Sequence, residues 1–423
     1  MKILQIHKYY SRERGAGSVT AFFELVKILE KRGHQVSVFS MKDVSNEVTR
    51  WDKYFTEHFD LNDNMGLLKK IQLSFKIIYN FEARKKLESL LREERPGIAH
   101  LHNIYHYLSP SIIDSLKKYD IPIVMTLHAY KEICPNYKLF VKGKVCERCK
   151  GEKYYNCFFN KCLKDSFAKS FLAMTEAYFH KYKKTYQKVD LFLSPSHFLK
   201  KKYVEFGIPE EKITVLRNIF SWDDFESSEN NREEKDCFIY FGRLAEEKGL
   251  ENLIRAVSQL KERKTLGRNK LYIIGQGPQE KYLKTLVAKL DLNKEVLFLG
   301  FKKRAEVKEL ILESKFSVVP SIWYENSPMT IVEAHLLGKP IIVSDMGGSQ
   351  ESILDGESGY VFGAEDQSDL ADKIEKMLFL NAEDRKIMGQ KGAQNIRTLY
   401  DEEKIYTELM AIYDTLSKRG LPK

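Results

Sequence analysis

The chain has 423 residues, 43% of them hydrophobic, and a formal net charge of +10. Such a chain can bury large cores in two or three domains, which excludes a disordered or fibrous protein. Residues 1–220 hold 39 Lys and Arg against 24 Asp and Glu, so the positive charge lies in the first half. Because no RNA-binding signature or zinc-finger His pair accompanies this charge, we expect a phosphate-bearing substrate or an anionic membrane face as partner, and no nucleic acid. The alternative is a charge that serves solubility alone.

Short apolar runs alternate with helical patterns along the first half of the chain. This alternation predicts strands at residues 2–9, 35–39, 97–101, 121–127, 189–194 and 213–216, and a helix at about 18–31. Strands separated by helices are typical of a parallel, doubly wound sheet. The polar stretch 226–236 interrupts the alternation, so we expect a first, acceptor-binding domain at 1–220 and a linker at 221–236.

The second half repeats the alternation, with strands predicted at 237–241, 270–274, 295–299, 316–319 and 340–344. Helices are predicted at about 249–264, 279–290, 305–314 and 328–337. The fold class is therefore α/β, with two doubly wound, Rossmann-like domains expected to face each other across a ligand-binding cleft. The second domain is placed at 237–400, and a final helix in 401–423 is expected to cross back to the first.

The N-terminal apolar run is too short for a signal peptide, and no stretch of about 18 apolar residues could span a bilayer. We therefore expect a cytoplasmic protein. In that compartment cysteines are thiols or metal ligands more often than disulfides.

Two glutamates, Glu325 and Glu333, lie on either side of a predicted helix start. Ser327 fits the N-cap and Pro328 the first helical position. The first N–H groups of such a helix have no partner inside it, and with the helix dipole they can bind a diphosphate. The donor-binding residues predicted in this segment are Ser327, Pro328, Met329, Thr330 and Glu333. The alternative is a surface loop followed by an ordinary helix.

Two cations, Arg243 and Lys248, lie in the loop that follows the strand at 237–241. An Arg fork and a Lys point charge can together hold a diphosphate and stabilise a departing nucleotide without a metal. In the N-terminal loop, Gly17 permits close approach of the backbone to phosphate at a helix start.

Five of the six cysteines are concentrated in an insertion at about 131–163, which contains a Cys-x-x-Cys motif. We expect a structural zinc held by four of Cys134, Cys146, Cys149, Cys157 and Cys162. An iron–sulfur cluster or unliganded thiols are the alternatives. The next segment, 164–188, is basic and aromatic; it fits a helix on an anionic membrane, or a core helix with a lysine face.

The Glu-x7-Glu pair, the Gly-Arg…Lys-Gly loop and the Gly-Gly…Glu turn at 347–351 occur in one order over the length of the chain. In this the chain resembles the family 4 glycosyltransferases of the GT-B fold, and in particular a bacterial exopolysaccharide and capsule subset with a similar Cys-rich loop. The resemblance implies retaining transfer of a sugar from a nucleotide-diphosphate sugar to a glycan acceptor that is lipid-linked at the inner membrane face. The lack of an Asp-x-Asp motif agrees with metal-independent transfer, and no catalytic cofactor is expected.

The same resemblance implies roles for single residues. It assigns Glu325 to the transferred sugar, Glu333 to the ribose, Arg243 and Lys248 to the diphosphate, Gly17 to its approach from the first domain, and His128 to the donor sugar. Read without the family, a His after a buried strand is more often a structural hydrogen-bonding residue. The alternative functions are a catalytically silent nucleotide-sugar-binding subunit, an inverting transferase of the same fold, or a sugar-nucleotide epimerase.

Overall fold

The structure is a computed structural model that describes residues 1–14, 17–59, 66–220 and 233–419. It divides into two compact units. The first comprises Met1–Leu139, Cys146–Ser221 and Glu402–Lys423, and the second comprises Phe140–Val145 and Trp222–Asp401. Most of the predicted linker lies outside the described residues. Its last part belongs to the second unit, where Arg385 forms an ion pair with Glu234.

The strands, in chain order, are β1 (Lys2–His7), β2 (Gln35–Phe39), β3 (Ile98–His102), β4 (Ile123–Thr126), β5 (Phe140–Val141), β6 (Lys144–Val145), β7 (Leu191–Ser194), β8 (Ile213–Val215), β9 (Cys237–Phe241), β10 (Lys270–Ile274), β11 (Val296–Gly300), β12 (Ser317–Val319), β13 (Ile341–Ser344) and β14 (Gly359–Phe362). The α-helices are α1 (Gly17–Lys31), α2 (Leu67–Ile78), α3 (Phe81–Glu94), α4 (Ile112–Lys118), α5 (Tyr155–Phe159), α6 (Phe167–Tyr182), α7 (His197–Glu205), α8 (Leu250–Glu262), α9 (Glu280–Lys289), α10 (Arg304–Glu313), α11 (Met329–Leu336), α12 (Gln367–Phe379), α13 (Ala382–Leu399) and α14 (Glu402–Arg419).

The first unit is built on a parallel sheet with the order β2-β1-β3-β4-β7-β8. Its central strands are buried, and β3 is buried throughout, including its two histidines His100 and His102. Ile3 in β1 pairs with Val36 on one side and Ile98 on the other. The strand order reverses between β1 and β3. In open parallel sheets ligands bind at the carboxyl ends of the strands that flank such a reversal.

The second unit is built on a parallel sheet with the order β11-β10-β9-β12-β13-β14. This is the strand order of the dinucleotide-binding Rossmann fold, and its reversal lies between β9 and β12. Phe238 and Phe316 stack in its core with ring centroids 5.0 Å apart. The loops after β9 and β12 therefore lie where such a sheet binds its ligand.

The predicted fold is confirmed: two Rossmann-like parallel sheets form the chain. The predicted strands at 35–39, 237–241 and 270–274 agree with the structure, and the others differ by at most two residues at an end. The prediction omitted β14, because four residues bounded by Gly359 carry too short an apolar pattern. None of the helices in the described ranges is long and apolar enough to cross a membrane.

The last helix, α14, belongs to the first unit although it follows the second in the chain. Its Tyr413 is fully buried, and the phenol oxygen lies 2.6 Å from His100 Nδ1. Tyr406 forms a further hydrogen bond with His34 at 2.7 Å. The buried hydrogen bonds of Tyr413 therefore connect the end of the chain to the core of the first sheet.

Candidate active site

Glu325 lies in the loop after β12, and its carboxylate is buried. Its Oε1 accepts hydrogen bonds from Ser321 Oγ and Lys248 Nζ, each at 2.6 Å. The N–H of Gly348 donates to the Glu325 carbonyl at 2.7 Å. Gly347 has a φ of +71°, and a Cβ on it would lie 2.2 Å from the same carbonyl oxygen. Glycine is required there because any side chain would displace the Glu325 backbone.

The two cations lie in the loop after β9. Arg243 is 60% exposed, and its guanidinium lies 3.9 Å from the Glu247 carboxylate. The Lys248 ammonium lies 5.3 Å from the centroid of the Trp323 ring. Gly249 has a φ of +68°, and a Cβ on it would lie 1.8 Å from the carbonyl oxygen of Pro320. The loops after β9 and β12 therefore touch at the strand-order reversal of the second sheet.

The helix between the two glutamates, α11, begins at Met329, with Pro328 as its N-cap. The expectations that Ser327 caps the helix and that Pro328 is its first residue are wrong. Pro328 has an extended ψ of 116°, and the Ser327 hydroxyl lies 2.9 Å from the Tyr400 hydroxyl, so it is bonded away from the helix end. The N–H groups of Met329 and Thr330 remain the first of the helix and lack partners inside it.

Glu333 lies in the second turn of α11 and is partly buried. Burial raises the pKa of its carboxyl to about 7, although the nearby Arg304 lowers it. In the part of the chain that the structure describes, the carboxylate has no hydrogen bond or ion pair. A desolvated carboxylate without a protein partner is typical of a ligand-binding position.

His128 follows β4 in the first unit. Its Nε2 lies 2.9 Å from His102 Nδ1. Burial lowers the pKa of His128 to about 4, so its imidazole is neutral at physiological pH. The residue can therefore act as a hydrogen-bonding group towards a ligand, but it is not a cation there.

A chain of buried hydrogen bonds fixes the orientation of His128. Gln5 Nε2 donates to the Tyr413 hydroxyl at 3.4 Å, and Gln5 Oε1 lies 3.1 Å from His102 Nε2. His102 must then donate from Nε2 and accept at Nδ1, so His128 donates from Nε2. The tautomer of His128 is thus set by residues of β1, β3 and α14.

The predicted site residues fall in the two units. Glu325, Lys248, Arg243 and the start of α11 lie together at one edge of the second sheet. His128 belongs to the first unit, as does Gly17, which is exposed as the first residue of α1. The neighbouring residues 15–16 lie outside the described residues.

The insertion contains the antiparallel pair β5 and β6 and the short helix α5. Its five cysteines are free thiols. Burial raises the pKa of Cys134 to about 11, and the hydrogen bond that the Cys157 thiol donates to Cys162 raises the pKa of Cys157. Within the described ranges, no three His, Cys, Asp or Glu side chains are grouped so as to hold a metal ion. The zinc site therefore stays a prediction from the sequence.

Sequence reasoning missed the residues that contact Glu325, Lys248 and the histidine network. Ser321 and Trp323 lie in the same segment as Glu325. Because both follow a buried strand, the sequence could have placed them at the carboxyl end of the sheet beside Glu325. Gln5 and Tyr413 are 408 residues apart. No local pattern in the sequence could have joined them.

The second unit thus combines the strand order of a Rossmann sheet, two cations and a helix N-terminus at the strand-order reversal. With a second parallel sheet in the same chain, these features define the GT-B class of nucleotide-sugar enzymes.

Comparison with known families agrees with this class. The family described as glycosyl transferases group 1 matches residues 222–395, and the one described as glycosyltransferase family 4 matches residues 15–220. The two matches follow one another and together span most of the chain. The chain belongs to the family 4 glycosyltransferases.

The relatives include the uncharacterized glycosyltransferase MJ1607 of Methanocaldococcus jannaschii, with 33% identity over 35% of this chain and 40% of that protein. The amylovoran biosynthesis glycosyltransferase AmsK of Erwinia amylovora is 31% identical over 45% of this chain and 48% of that protein. The matched regions thus cover less than half the length of these two relatives. The crystal structure of Anabaena Alr3699/HepE in complex with UDP has the same fold, with a TM-score of 0.67, 17% identity, and coverage of 98% of this chain and 100% of that one.

Proposed function

We propose that this protein is a retaining, metal-independent glycosyltransferase that moves a sugar from a nucleoside diphosphate to a hydroxyl of a growing surface polysaccharide. The observation that carries the proposal is the Lys248–Glu325 ion pair at the strand-order reversal of the second sheet, beside the start of α11. This pair joins a cation suited to a phosphate and an acid suited to a sugar hydroxyl.

The diphosphate of the donor is the group that the site receives first. The exposed guanidinium of Arg243 provides a fork for two phosphate oxygens, and Lys248 provides a point charge. The N–H groups of Met329 and Thr330 and the positive end of the helix dipole add to these. Together they stabilise the negative charge that develops on the leaving nucleotide, without a metal.

The two acids bind opposite ends of the donor. Glu325, held by Ser321 and by the Gly347 turn, accepts hydrogen bonds from the transferred sugar. Glu333 accepts hydrogen bonds from the ribose, for which its carboxylate has free oxygens among the described contacts. The neutral His128 contributes a further hydrogen bond to the sugar from the first unit. Gly17, also in the first unit, has no side chain, so the backbone can approach the phosphates closely.

In the reaction, the bond between the anomeric carbon and the diphosphate oxygen breaks while the acceptor oxygen forms its bond to the same carbon. The acceptor attacks from the face that the nucleotide leaves, and its proton passes to the departing phosphate oxygen. Configuration is therefore retained. Arg243 and Lys248 assist because the charge on the leaving oxygen is greatest as the bond breaks.

Two of the similar proteins indicate which donor and which class of acceptor should be tested first. The Anabaena protein was crystallised with UDP, so uridine nucleotides are the first donors to examine. AmsK is described as acting in amylovoran biosynthesis, and this supports a polysaccharide acceptor.

A lipid-linked acceptor at the cytoplasmic membrane face fits the surface of α6. Its side chains Phe171 and Tyr182 are 54% and 77% exposed, and Lys169 and Lys181 lie on the same helix. Aromatic rings with basic neighbours are suited to an anionic bilayer surface. Co-sedimentation with anionic vesicles should fall when Phe171 and Tyr182 are both replaced by Ser, and unchanged binding would contradict membrane association through α6.

The function is tested by nucleotide release from a panel of uridine, guanosine and adenosine diphosphate sugars. Removing the charge in Lys248→Met should slow release by about 100- to 1,000-fold, as for other groups that stabilise a developing oxyanion. Lys281→Met, at an exposed lysine of α9, is the control and should leave the rate unchanged. Tight nucleotide binding without release or transfer by the wild type would indicate a silent binding subunit instead. An inverted product would indicate an inverting transferase.

A further inference from the structure

The strand-order reversal of the first sheet has its own cation. Lys8 follows β1, and Tyr105 follows β3, so both lie at the carboxyl ends of the strands that flank the reversal. The Lys8 ammonium lies 4.1 Å from the centroid of the Tyr105 ring and 5.3 Å from that of Tyr9. This is the position at which an open parallel sheet binds its ligand.

No carboxylate in the described residues forms an ion pair with Lys8. The charged group that acts on it is a second cation, Lys131, from the segment after β4. Lys131 has its own partner, because its ammonium lies 2.7 Å from Glu176 and both side chains are almost fully buried. The carboxylate of Glu176 is therefore already paired, and it leaves the charge of Lys8 unbalanced.

Among the described residues, the other titratable groups around Lys8 do not form an ion pair with it. His7 of β1 and His106 of the segment after β3 are both held neutral, because burial lowers the pKa of each. The pKa of the Tyr105 phenol is raised by burial, so it stays protonated. The Glu132 carboxyl accepts a hydrogen bond from the Tyr203 hydroxyl, burial raises its pKa, and within the described residues it forms no ion pair with Lys8.

The ammonium is only partly exposed, and burial lowers the pKa of Lys8 to about 7. Contact with the faces of Tyr105 and Tyr9 offsets part of the desolvation, since aromatic rings attract cations. The rest of the desolvation cost is not offset until an anion binds. A partly desolvated charge without a counter-ion lowers the stability of the empty protein. When such a charge lies at the ligand-binding edge of a sheet, it indicates a functional site.

We propose that Lys8 binds an oxyanion of the acceptor, either a phosphate or a sugar carboxylate, at the strand-order reversal of the first sheet. The inference rests on the proposed function, and it deepens that function by assigning an anionic acceptor to the first unit. Both sources present oxygens that can pair with an ammonium to which no carboxylate of the described residues is bonded.

The test uses calorimetry on the full chain with three proteins: wild type, Lys8→Met and Lys85→Met. Met keeps the length and apolar stem of Lys8, and Lys85 is an exposed lysine of α3 that serves as the matched control. Each protein is titrated with inorganic pyrophosphate and with glucuronate, in saturating UDP and again without nucleotide. We expect Lys8→Met to lose about tenfold or more in affinity for one anion, and Lys85→Met to lose none.

A loss for pyrophosphate assigns a phosphate-bearing acceptor, and a loss for glucuronate assigns an acidic sugar. Equal affinities in wild type and Lys8→Met, or no binding of either anion to wild type, would overturn the proposal. If wild type binds no UDP, the donor function fails, while the titrations without nucleotide still decide the role of Lys8.

A second measurement needs no variant. The affinity of wild type for glucuronate, whose charge is constant near neutral pH, should fall as pH rises above about 7, because the ammonium of Lys8 loses its proton. If wild type binds glucuronate, a constant affinity between about pH 6 and 8.5 would contradict its binding by Lys8, even if Lys8→Met did not fold.

Discussion

The substitution Glu333→Gln should stabilise the empty protein at alkaline pH and weaken nucleotide binding. Burial raises the pKa of Glu333 from 4.5 to about 7. Below the unfolded pKa both states are protonated, and ionisation has no effect on the free energy of unfolding. As pH rises from about 4.5 to 7 the unfolded chain ionises while the folded one resists, so stability falls by about 1.4 kcal/mol per pH unit.

The full loss above pH 7 corresponds to the difference of 2.5 between these pKa values, or about 3.4 kcal/mol. At about pH 5 the loss is only about 0.8 kcal/mol, since the unfolded carboxyl is there just past its own pKa. Gln cannot ionise. Its stabilising effect relative to wild type should therefore be greater at pH 8 than at pH 5 by about 2.5 kcal/mol.

Urea denaturation of wild type and Glu333→Gln at the two pH values measures this difference directly. Glu383→Gln, at an exposed glutamate of α13, is the control and should show the same effect at both. In the same variants, the nucleotide affinity of Glu333→Gln should be about 10- to 100-fold weaker, because hydrogen bonds to a charged acceptor are lost. A stability change that is equal at pH 5 and pH 8 would refute the assignment of a desolvated, unpaired carboxylate to Glu333.

Three further predictions concern other parts of the molecule. Gly347→Ala should destabilise the second unit by more than about 2 kcal/mol and abolish transfer, because its Cβ would meet the Glu325 backbone. The control is Gly300→Ala, at a glycine with a similar φ of +70° but open space around it. This variant should cost only about 1 kcal/mol. Thermal denaturation with a transfer assay compares the two, and equal effects would contradict a role for close packing. Tyr413→Phe should lower the free energy of unfolding by about 1–3 kcal/mol, because it leaves two buried hydrogen-bond partners unsatisfied. Tyr406→Phe, at a partly exposed tyrosine, should lower it by less than about 1 kcal/mol. The reverse order would count against the buried network. Elemental analysis should find about one zinc ion per chain, and this zinc should be lost when the insertion cysteines are replaced by Ser. A metal-free protein with unchanged stability would contradict the zinc prediction.

Much of the fold could be predicted from the sequence because parallel strands buried on both faces leave continuous apolar runs. The strand at 237–241 is such a run, and so is the one at 270–274. The strand β14 could not be predicted, because its four residues form no distinct pattern. The start of α11 was misplaced because Ser327 bonds to Tyr400, 73 residues away, and no local rule contains that contact.

The candidate site was predictable to the extent that its residues lie in short segments with a clear chemistry. Glu325, Lys248 and Arg243 were each found from their loops, yet the ion pair between the first two depends on the contact of Gly249 with Pro320. That contact arises from the order of strands in the sheet, which only the fold supplies. The hydrogen-bonded network behind His128 likewise requires α14 to return to the first sheet.

The proposed function requires this chain to break the bond between a sugar and a nucleoside diphosphate with retention of configuration. It is tested most directly by following purified protein with a uridine diphosphate sugar and a saccharide acceptor by NMR, in the presence of a metal chelator. We predict nucleotide release coupled to a product with the donor's anomeric configuration, and a rate that falls by about 100-fold or more in Glu325→Gln. A product of inverted configuration, or an equal rate in the variant, would contradict the proposed function.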